Sequence, residues 1–223
     1  MGEAKPRRRP RYIAAIRENN TFYWVIRWIV LLVSRLYFRV EFHGVENLPK
    51  TGAVLLVPNH ASHLDPTSVT CGLSRPAHFL AKQELFKGFM GWFLKKVNSY
   101  PVKPSGVDLA AVRTCLDVLD RGLVLVIFPE GLRTETGDFS PLKSGAAMLA
   151  TKTGALIVPI YISGTFESMP RKSRFPKPGK VSIYIGTAID PPKPNVDYSE
   201  KKQHYRAINS LILDQWEKLS GKN

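Results

Sequence analysis

Three unbroken apolar runs constrain this chain more than anything else in it: AVLLV at 53–57, LVLVIF at 123–128 and ALIVPIYI at 155–162. A strand with one wet face alternates apolar and polar residues. A run that is apolar throughout needs cover on both sides, as in a parallel sheet layered with helices. Gly52 and Pro58, Gly122 and Pro129, and Gly154 and Gly164 bound the three runs, so each reads as one short strand. Further strands are expected at 76–81 and 181–185. Helical spacing fills the intervals. Phe86, Phe89, Met90, Phe93 and Leu94 share a face within 85–97, and Ser105 to Asp108 has capping-box spacing ahead of Leu109, Val112, Leu116 and Leu119. A helix at 144–152 closes on Gly154, and Asp197 with Glu200 caps a last helix that turns Tyr205, Ile208, Ile212 and Trp216 to one side. The alternation predicts an α/β fold, a mixed or mainly parallel sheet flanked by helices. Ligands of such folds meet the residues just beyond strand C-termini, where His60, Lys82, Glu130 and Gly164 fall.

Size and charge narrow the class. A chain of 223 residues fits one domain with a short appendage. With 32 Lys and Arg against 18 Asp and Glu, the net charge of +14 calls for an anionic partner. The basic stretches at 5–11 and 171–180 carry no interleaved stacking aromatics, and no zinc-finger or single-strand-binding signature is present, so nucleic acid is not the expected partner. Cys71 and Cys115 sit in apolar surroundings and read as buried thiols in a reducing compartment.

The segment at 21–38 is apolar but interrupted by Arg27 and Arg35, and its longest clean run falls well short of the roughly twenty residues that cross a bilayer. No small-residue cleavage pattern marks it as an export signal. At about 100° per residue, Arg27, Ser34, Arg35 and Arg39 share one arc, and Phe22, Ile26, Ile29, Val33, Leu36 and Tyr37 lie opposite, with Trp24 and Leu31 on the basic side. The pattern predicts an amphipathic helix lying in the plane of an anionic membrane surface. Residues 1–39 are therefore read as a membrane-associating segment, with burial against the chain's own domain as the alternative.

The chemistry-bearing residues form two groups. Asn59-His60-Ala61-Ser62-His63-Leu64-Asp65 follows the first buried strand. A hydroxyl has too high a pKa to attack a carbonyl carbon unaided. A neutral His60 can remove its proton, and Asp65 can hold the other ring nitrogen. His60, His63 and Asp65 match no established metal-ligand spacing, so no metal is expected. Ser62 lies outside a Gly-x-Ser-x-Gly elbow, which argues against a serine hydrolase. The second group is Glu130, Gly131 and Arg133: a glycine for a tight turn, a guanidinium with paired donors for phosphate, and a carboxylate to align Arg133, the loop or a substrate hydroxyl. Lys82 is a candidate for stabilising negative charge as it develops. Together the groups suit an enzyme acting on a phosphorylated alcohol.

Asn59-His60-x4-Asp65, Ala81-Lys82-Gln83-Glu84-Leu85, Phe128-Pro129-Glu130-Gly131-Leu132-Arg133-Thr134 and Ile157-Val158-Pro159-Ile160 resemble, in order, the sequence blocks of the glycerolipid acyltransferases, in particular the bacterial 1-acyl-sn-glycerol-3-phosphate acyltransferases. The resemblance covers roughly residues 40 to 190 and makes 40–223 the acyltransferase domain. It implies transfer of a fatty acyl chain from acyl-CoA or acyl-acyl carrier protein to lysophosphatidic acid at the cytoplasmic face of the inner membrane, with no permanently bound cofactor. It implies His60 as general base, Asp65 as its partner, Glu130, Gly131 and Arg133 around the acceptor phosphate, and Val158 and Pro159 in a block associated with substrate binding. Departures are present. Leu132 and Thr134 stand where many relatives have threonine and serine, and Pro104 beside Lys103 stands where an arginine is usual, leaving Lys103 as the cation for phosphate. Another acceptor, such as glycerol 3-phosphate, a different lysophospholipid or a lyso-aminolipid, and a noncatalytic membrane scaffold are the alternatives.

Overall fold

The computed structural model describes residues 21–103, 108–191 and 198–221. Its elements follow the order α1 (Thr21–Tyr37), β1 (Glu41–His43), β2 (Val54–Pro58), α2 (Asp65–Cys71), β3 (Ala77–Lys82), α3 (Gly88–Lys96), β4 (Ser99–Val102), α4 (Leu109–Asp120), β5 (Val124–Val126), α5 (Gly145–Thr153), β6 (Leu156–Ser163), α6 (Thr165–Ser168), β7 (Ser182–Ile185) and α7 (Tyr198–Ser220). Seven strands form one sheet in the order β1-β7-β6-β2-β5-β3-β4. Every pairing is parallel except β6 with β7. The mixed, mainly parallel α/β sheet expected from the apolar runs is the observed one.

The runs are apolar throughout because both faces are covered. Val54 and Leu56 of β2 join Val124, Val126, Val158, Ile160 and Ile183 in a core beneath α2, where Val69 and Leu73 pack. Leu55 and Val57 point the other way, into a second core with Leu119 of α4, Leu149 of α5 and Ile208, Ile212 and Trp216 of α7. The period-2 alternation of a strand thus divides one hydrophobic run between two cores. Helix α4 starts at Asp108, whose Oδ1 accepts from the amides of Ala110 and Ala111 at 3.0 and 3.1 Å. Asp108 is the N-cap itself; Ser105 and Asp197, the other expected caps, lie outside the described residues.

Strand β2 lies between β5 and β6, and β3, β4 and β5 lie on one side of it while β6, β7 and β1 lie on the other. The order reverses at β2, so the crevice of this fold opens beyond the C-terminal end of β2. Asn59 and His60 begin there.

Helix α1 keeps Ile29, Val33, Leu36 and Tyr37 of its apolar arc exposed and packs on the domain partly through the other arc. Tyr23, Leu31 and Ser34 are its buried residues, and the Tyr23 hydroxyl accepts from the Ala77 amide at 3.0 Å. The arc read as headgroup-facing therefore turns partly inward, which accounts for Leu31 on that side. Arg27 spreads over the rings of Trp24 and Trp28, with 5.2 and 5.5 Å from guanidinium carbon to ring centroid. The outward face carries Val25, Trp28, Ile29, Leu32, Val33 and Leu36, all exposed. Domain contact and an apolar outer face coexist on one helix. Phe22 meets Trp92 and Phe93 of α3 edge to face, at 5.4 and 6.2 Å between centroids, and Phe89, Met90 and Trp92 extend the exposed apolar surface onto α3. Gly91 lets the turn into α3 close tightly, since a Cβ there would sit 2.5 Å from the carbonyl of Phe86.

Candidate active site

Two loops build the site. One follows β2, from Asn59 to Asp65; the other follows β5, from Phe128 to Lys143. In the first, the His60 Nδ1 lies 2.8 Å from Asp65 Oδ2. The Asp65 side chain is 0% exposed and the His60 side chain 19%, so the carboxylate is sealed while the ring reaches the crevice. Asp65 Oδ2 also accepts from the amides of Ala61 and Ser62, both at 2.7 Å. Those bonds pull the loop into a tight turn around the carboxylate and set the side chain before the histidine meets it. With Nδ1–H donated to a carboxylate, Nε2 keeps its lone pair.

The loop is latched at both ends. The Asn59 side chain accepts from the Ile162 amide at 2.7 Å and donates to the Ile162 carbonyl at 3.1 Å, which ties the end of β2 to β6. Ser62 is fully buried, and its hydroxyl donates to the Met169 carbonyl at 2.8 Å. Such a hydroxyl is a latch and not an exposed nucleophile.

The second loop clamps the first from above. Glu130 accepts from the His60 amide at 2.7 Å with Oε1 and from the Ser140 amide at 3.0 Å with Oε2. Burial raises its pKa, while the two amide bonds oppose that shift. Both carboxylate oxygens therefore face protein amides. The Thr134 amide donates to the His60 carbonyl at 2.9 Å, and the Thr134 hydroxyl accepts from Gly137 and Thr136 at 3.1 and 3.3 Å. The Phe128 ring stacks on the imidazole at 4.1 Å between centroids. Gly131 has φ +77, and a side chain there would strike Lys143, whose Nζ lies 2.5 Å from an ideal Cβ position. Its amide donates to the Phe128 carbonyl at 3.0 Å, so that amide is already engaged.

Positive groups gather near His63. Burial is the main cause lowering the pKa of His63, and Arg133, His60 and Lys82 push the same way by charge. Arg133 is lowered by burial and then by Arg171, with Asp65 opposing. The Arg133 Nη1 is buried and finds no acceptor among the described residues. Arg133, His60 and Lys82 thus all lie near enough to His63 to act on its charge, an arrangement that favours a bound anion. Among the described residues no group of three or more His, Cys, Asp or Glu side chains is placed to hold a metal ion.

Residues 39–163 match the sequence profile of the family described as Acyltransferase. The chain belongs to that family. It is 29% identical over 185 residues to the 1-acyl-sn-glycerol-3-phosphate acyltransferase of Bacillus subtilis, covering 82% of this chain and 89% of that protein. It is 31% identical over 173 residues to a chloroplastic 1-acyl-sn-glycerol-3-phosphate acyltransferase of Arabidopsis thaliana, covering 74% of this chain and 48% of the plant protein. The chain spans about half the length of the plant relative it matches. The crystal structure of the 1-acyl-sn-glycerophosphate acyltransferase from Thermotoga maritima superposes with a TM-score of 0.68 at 26% identity, over 90% of this chain and 84% of that one.

The remaining acyltransferase-block residues separate in space. Lys82 ends β3 and belongs to the positive cluster. Lys103 does not join it: it is exposed after β4, gives its amide to Asp108 at 2.9 Å, and lines a separate open concavity along the β4 edge of the sheet. Val158 is 0% exposed within the core beneath α2, and Pro159 is buried beside it, because β6 is an interior strand covered on both faces. Neither side chain reaches the crevice. A cavity of about 340 Å³ does reach it, opening beside His63 and Phe128 and running between α1, α2, β3 and α3 past Ile26, Val30, Phe93 and Leu94. Sequence reasoning missed the latch of Asn59 and the clamps of Thr134 and Ser140. A polar residue at the end of an apolar strand is the one signal that pointed to Asn59.

Proposed function

We propose that this chain transfers a fatty acyl group from acyl-CoA or acyl-acyl carrier protein to the sn-2 hydroxyl of 1-acyl-sn-glycerol 3-phosphate, forming phosphatidic acid. The observation that carries this reading is the His60–Asp65 pair at 2.8 Å, opening onto a crevice shared by a positive cluster and an apolar cavity. A lysophosphatidic acid needs all three: a base for its hydroxyl, cations for its phosphate and an apolar channel for a chain.

His60 Nε2 takes the proton of the sn-2 hydroxyl as the oxygen attacks the thioester carbonyl carbon. Asp65 stabilises the imidazolium that forms. The tetrahedral intermediate collapses with cleavage of the carbon–sulfur bond, and the imidazolium returns its proton to the departing thiolate. Both substrates meet in one complex, so acceleration comes from holding hydroxyl and thioester together. Arg133 and Lys82 hold the acceptor phosphate; Arg133 supports this role through its buried Nη1, which has a donor to offer. Glu130 and Gly131 act on the loop that carries His60 and shape the acceptor site through it.

The enzyme works at the cytoplasmic face of the cell membrane. Among the described residues no helix is long and apolar enough to cross a bilayer, and the outward apolar face of α1 suits an interfacial position. The test is a matrix of acyl donors against acceptors, read by thiol release and by mass spectrometry of the product position. The expected result is product only with a lysophospholipid acceptor, abolished in His60→Ala with the thermal midpoint retained. Full activity in that variant would end the proposal.

A further inference from the structure

The connection between α6 and β7, residues 169–180, carries Arg171, Lys172, Arg174, Lys177 and Lys180 around Phe175. Phe175 is 80% exposed, more than any other large apolar residue described. A flexible loop would fold such a ring onto the protein. Here the backbone holds it out: the Ser173 amide donates to the Pro170 carbonyl at 2.9 Å, the Ser173 hydroxyl to the Phe175 carbonyl at 2.8 Å, and the Lys177 amide to the Ser168 carbonyl at 2.7 Å. The two ends are pinned by charge, Arg171 to Glu135 at 2.7 Å and Lys180 to Glu41 at 2.9 Å. Between them Lys172, Arg174 and Lys177 are exposed, and no carboxylate among the described residues pairs with them.

The position of the loop matters as much as its composition. The Tyr37 hydroxyl, at the end of α1, donates to the Pro176 carbonyl at 3.1 Å. Phe175 therefore lies beside the end of α1 whose outward face carries Val33 and Leu36. Apolar groups ringed by cations on one surface match the boundary between acyl chains and anionic headgroups.

We propose that this loop is a second membrane contact, with Phe175 entering the acyl boundary and Lys172, Arg174 and Lys177 taking anionic lipid headgroups, continuous with α1. An acidic protein surface would engage the cations but has no use for a projecting phenyl ring next to an apolar helix face, so a bilayer is the occupant. Because the Ser62 hydroxyl donates to the Met169 carbonyl, the loop that touches lipid is bonded to the segment between His60 and Asp65. Seating the loop sets the height of the catalytic histidine above the headgroup plane. This deepens the lysolipid reading of the site and rests on it.

The test uses the full chain, Phe175→Ser, and a triple variant Lys172→Gln, Arg174→Gln, Lys177→Gln. Co-sedimentation is measured with phosphatidylcholine vesicles, with and without phosphatidylglycerol. The triple variant is expected to lose on the order of tenfold to a hundredfold in partition to the anionic vesicles, and added salt erases that difference. Phe175→Ser is expected to weaken binding to both vesicle types with little salt dependence. Turnover of a short-chain lysophosphatidic acid dispersed as monomers is expected to stay unchanged in both variants, and turnover of vesicle-embedded acceptor to fall. Unchanged partition of both variants overturns the proposal. So does normal vesicle binding with loss of turnover confined to a carrier-protein donor, which would make the loop a protein docking site. Failure of the unaltered chain to turn over any lysolipid would instead sink the acceptor reading, and the vesicle measurement would still decide the membrane contact.

Discussion

Glu130→Gln separates two roles that one position could serve. The carboxylate is 5% exposed and accepts from the amides of His60 and Ser140 at 2.7 and 3.0 Å. A hydrogen bond to a charged group contributes about 1.5–3 kcal/mol net. Glutamine keeps one acceptor oxygen and turns an amino group toward the other amide, so about 2 kcal/mol is lost. Removing a buried charge offsets part of that, leaving a net destabilisation of about 1 kcal/mol and a drop of roughly 2–4 °C in thermal midpoint. The catalytic effect is larger, because the lost bond positions the base: a shift of a fraction of an ångström in His60 lowers kcat by up to about 100-fold. The KM for the acceptor stays near its original value.

Acidification adds an independent signature of that variant. Burial raises the Glu130 carboxyl above its ordinary value of 4.5, so folding favours the protonated form. That contribution is fully present below 4.5 and lost as pH rises through the folded value, so the stability of the unaltered chain over the variant widens as pH falls toward 4.5. Steady-state kinetics by thiol release, with thermal melts over that range, read both effects. A raised acceptor KM with kcat intact would refute the reasoning, because it would place the carboxylate against substrate.

Asp65→Asn removes the charge that holds the Nδ1 proton of His60, and kcat is expected to fall by about 10³–10⁴-fold in single-turnover assays while acceptor affinity changes little. Burial, with Arg121 adding repulsion, pushes the His78 imidazole down to about 4 from 6.5. Its neutral form is bound in the fold, so this stability is present above 6.5 and lost as pH falls toward 4, about 3 kcal/mol in all. Urea melts of His78→Phe are expected to lose that acid slope. Trp216 is fully buried, and its ring nitrogen donates to the Val57 carbonyl at 3.0 Å. Trp216→Ala is expected to cost about 3–5 kcal/mol in the same assay.

What could be read from the chain divides along physical lines. The runs at 53–57 and 155–162 announced β2 and β6 because interior parallel strands need apolar residues on both faces. Strands β1 and β4, EFH and SYPV, gave no such signal: they are three and four residues long and sit at the two edges of the sheet. Pro101 is tolerated in β4 for that reason. His60 and Asp65 were legible as a pair because five residues separate them. The bond from the His60 amide to Glu130 spans 70 positions, and no local pattern foretells it. The partial burial of the polar arc of α1 was hidden from the sequence for a similar cause. Periodicity separates polar from apolar sides, but whether Ser34 and Arg27 face water or the domain depends on what α2 and β3 present to them.

The same bonds explain how the proposed general base can sit on a loop without being loose. Most side chains of the interior strands are needed by one core or the other, so reactive groups stand where the strands stop. Irregular backbone at those ends would wander, yet here each segment holds another: Asn59 binds β6, Ser62 binds Met169, Thr134 and Glu130 bind the two sides of the His60 peptide, and Glu130 reaches on to Ser140. A site cross-bonded in this way has little freedom to adapt to different substrates. The adaptable part lies elsewhere, in the cavity walled by α1, α2 and α3, where Ile26, Val30 and Leu94 make no directional bonds through their side chains and exchange for other apolar residues at small cost. On the proposed function, positions of reaction and positions of selection therefore occupy different elements, the first fixed by hydrogen bonds at strand ends and the second set by the volumes of helix side chains.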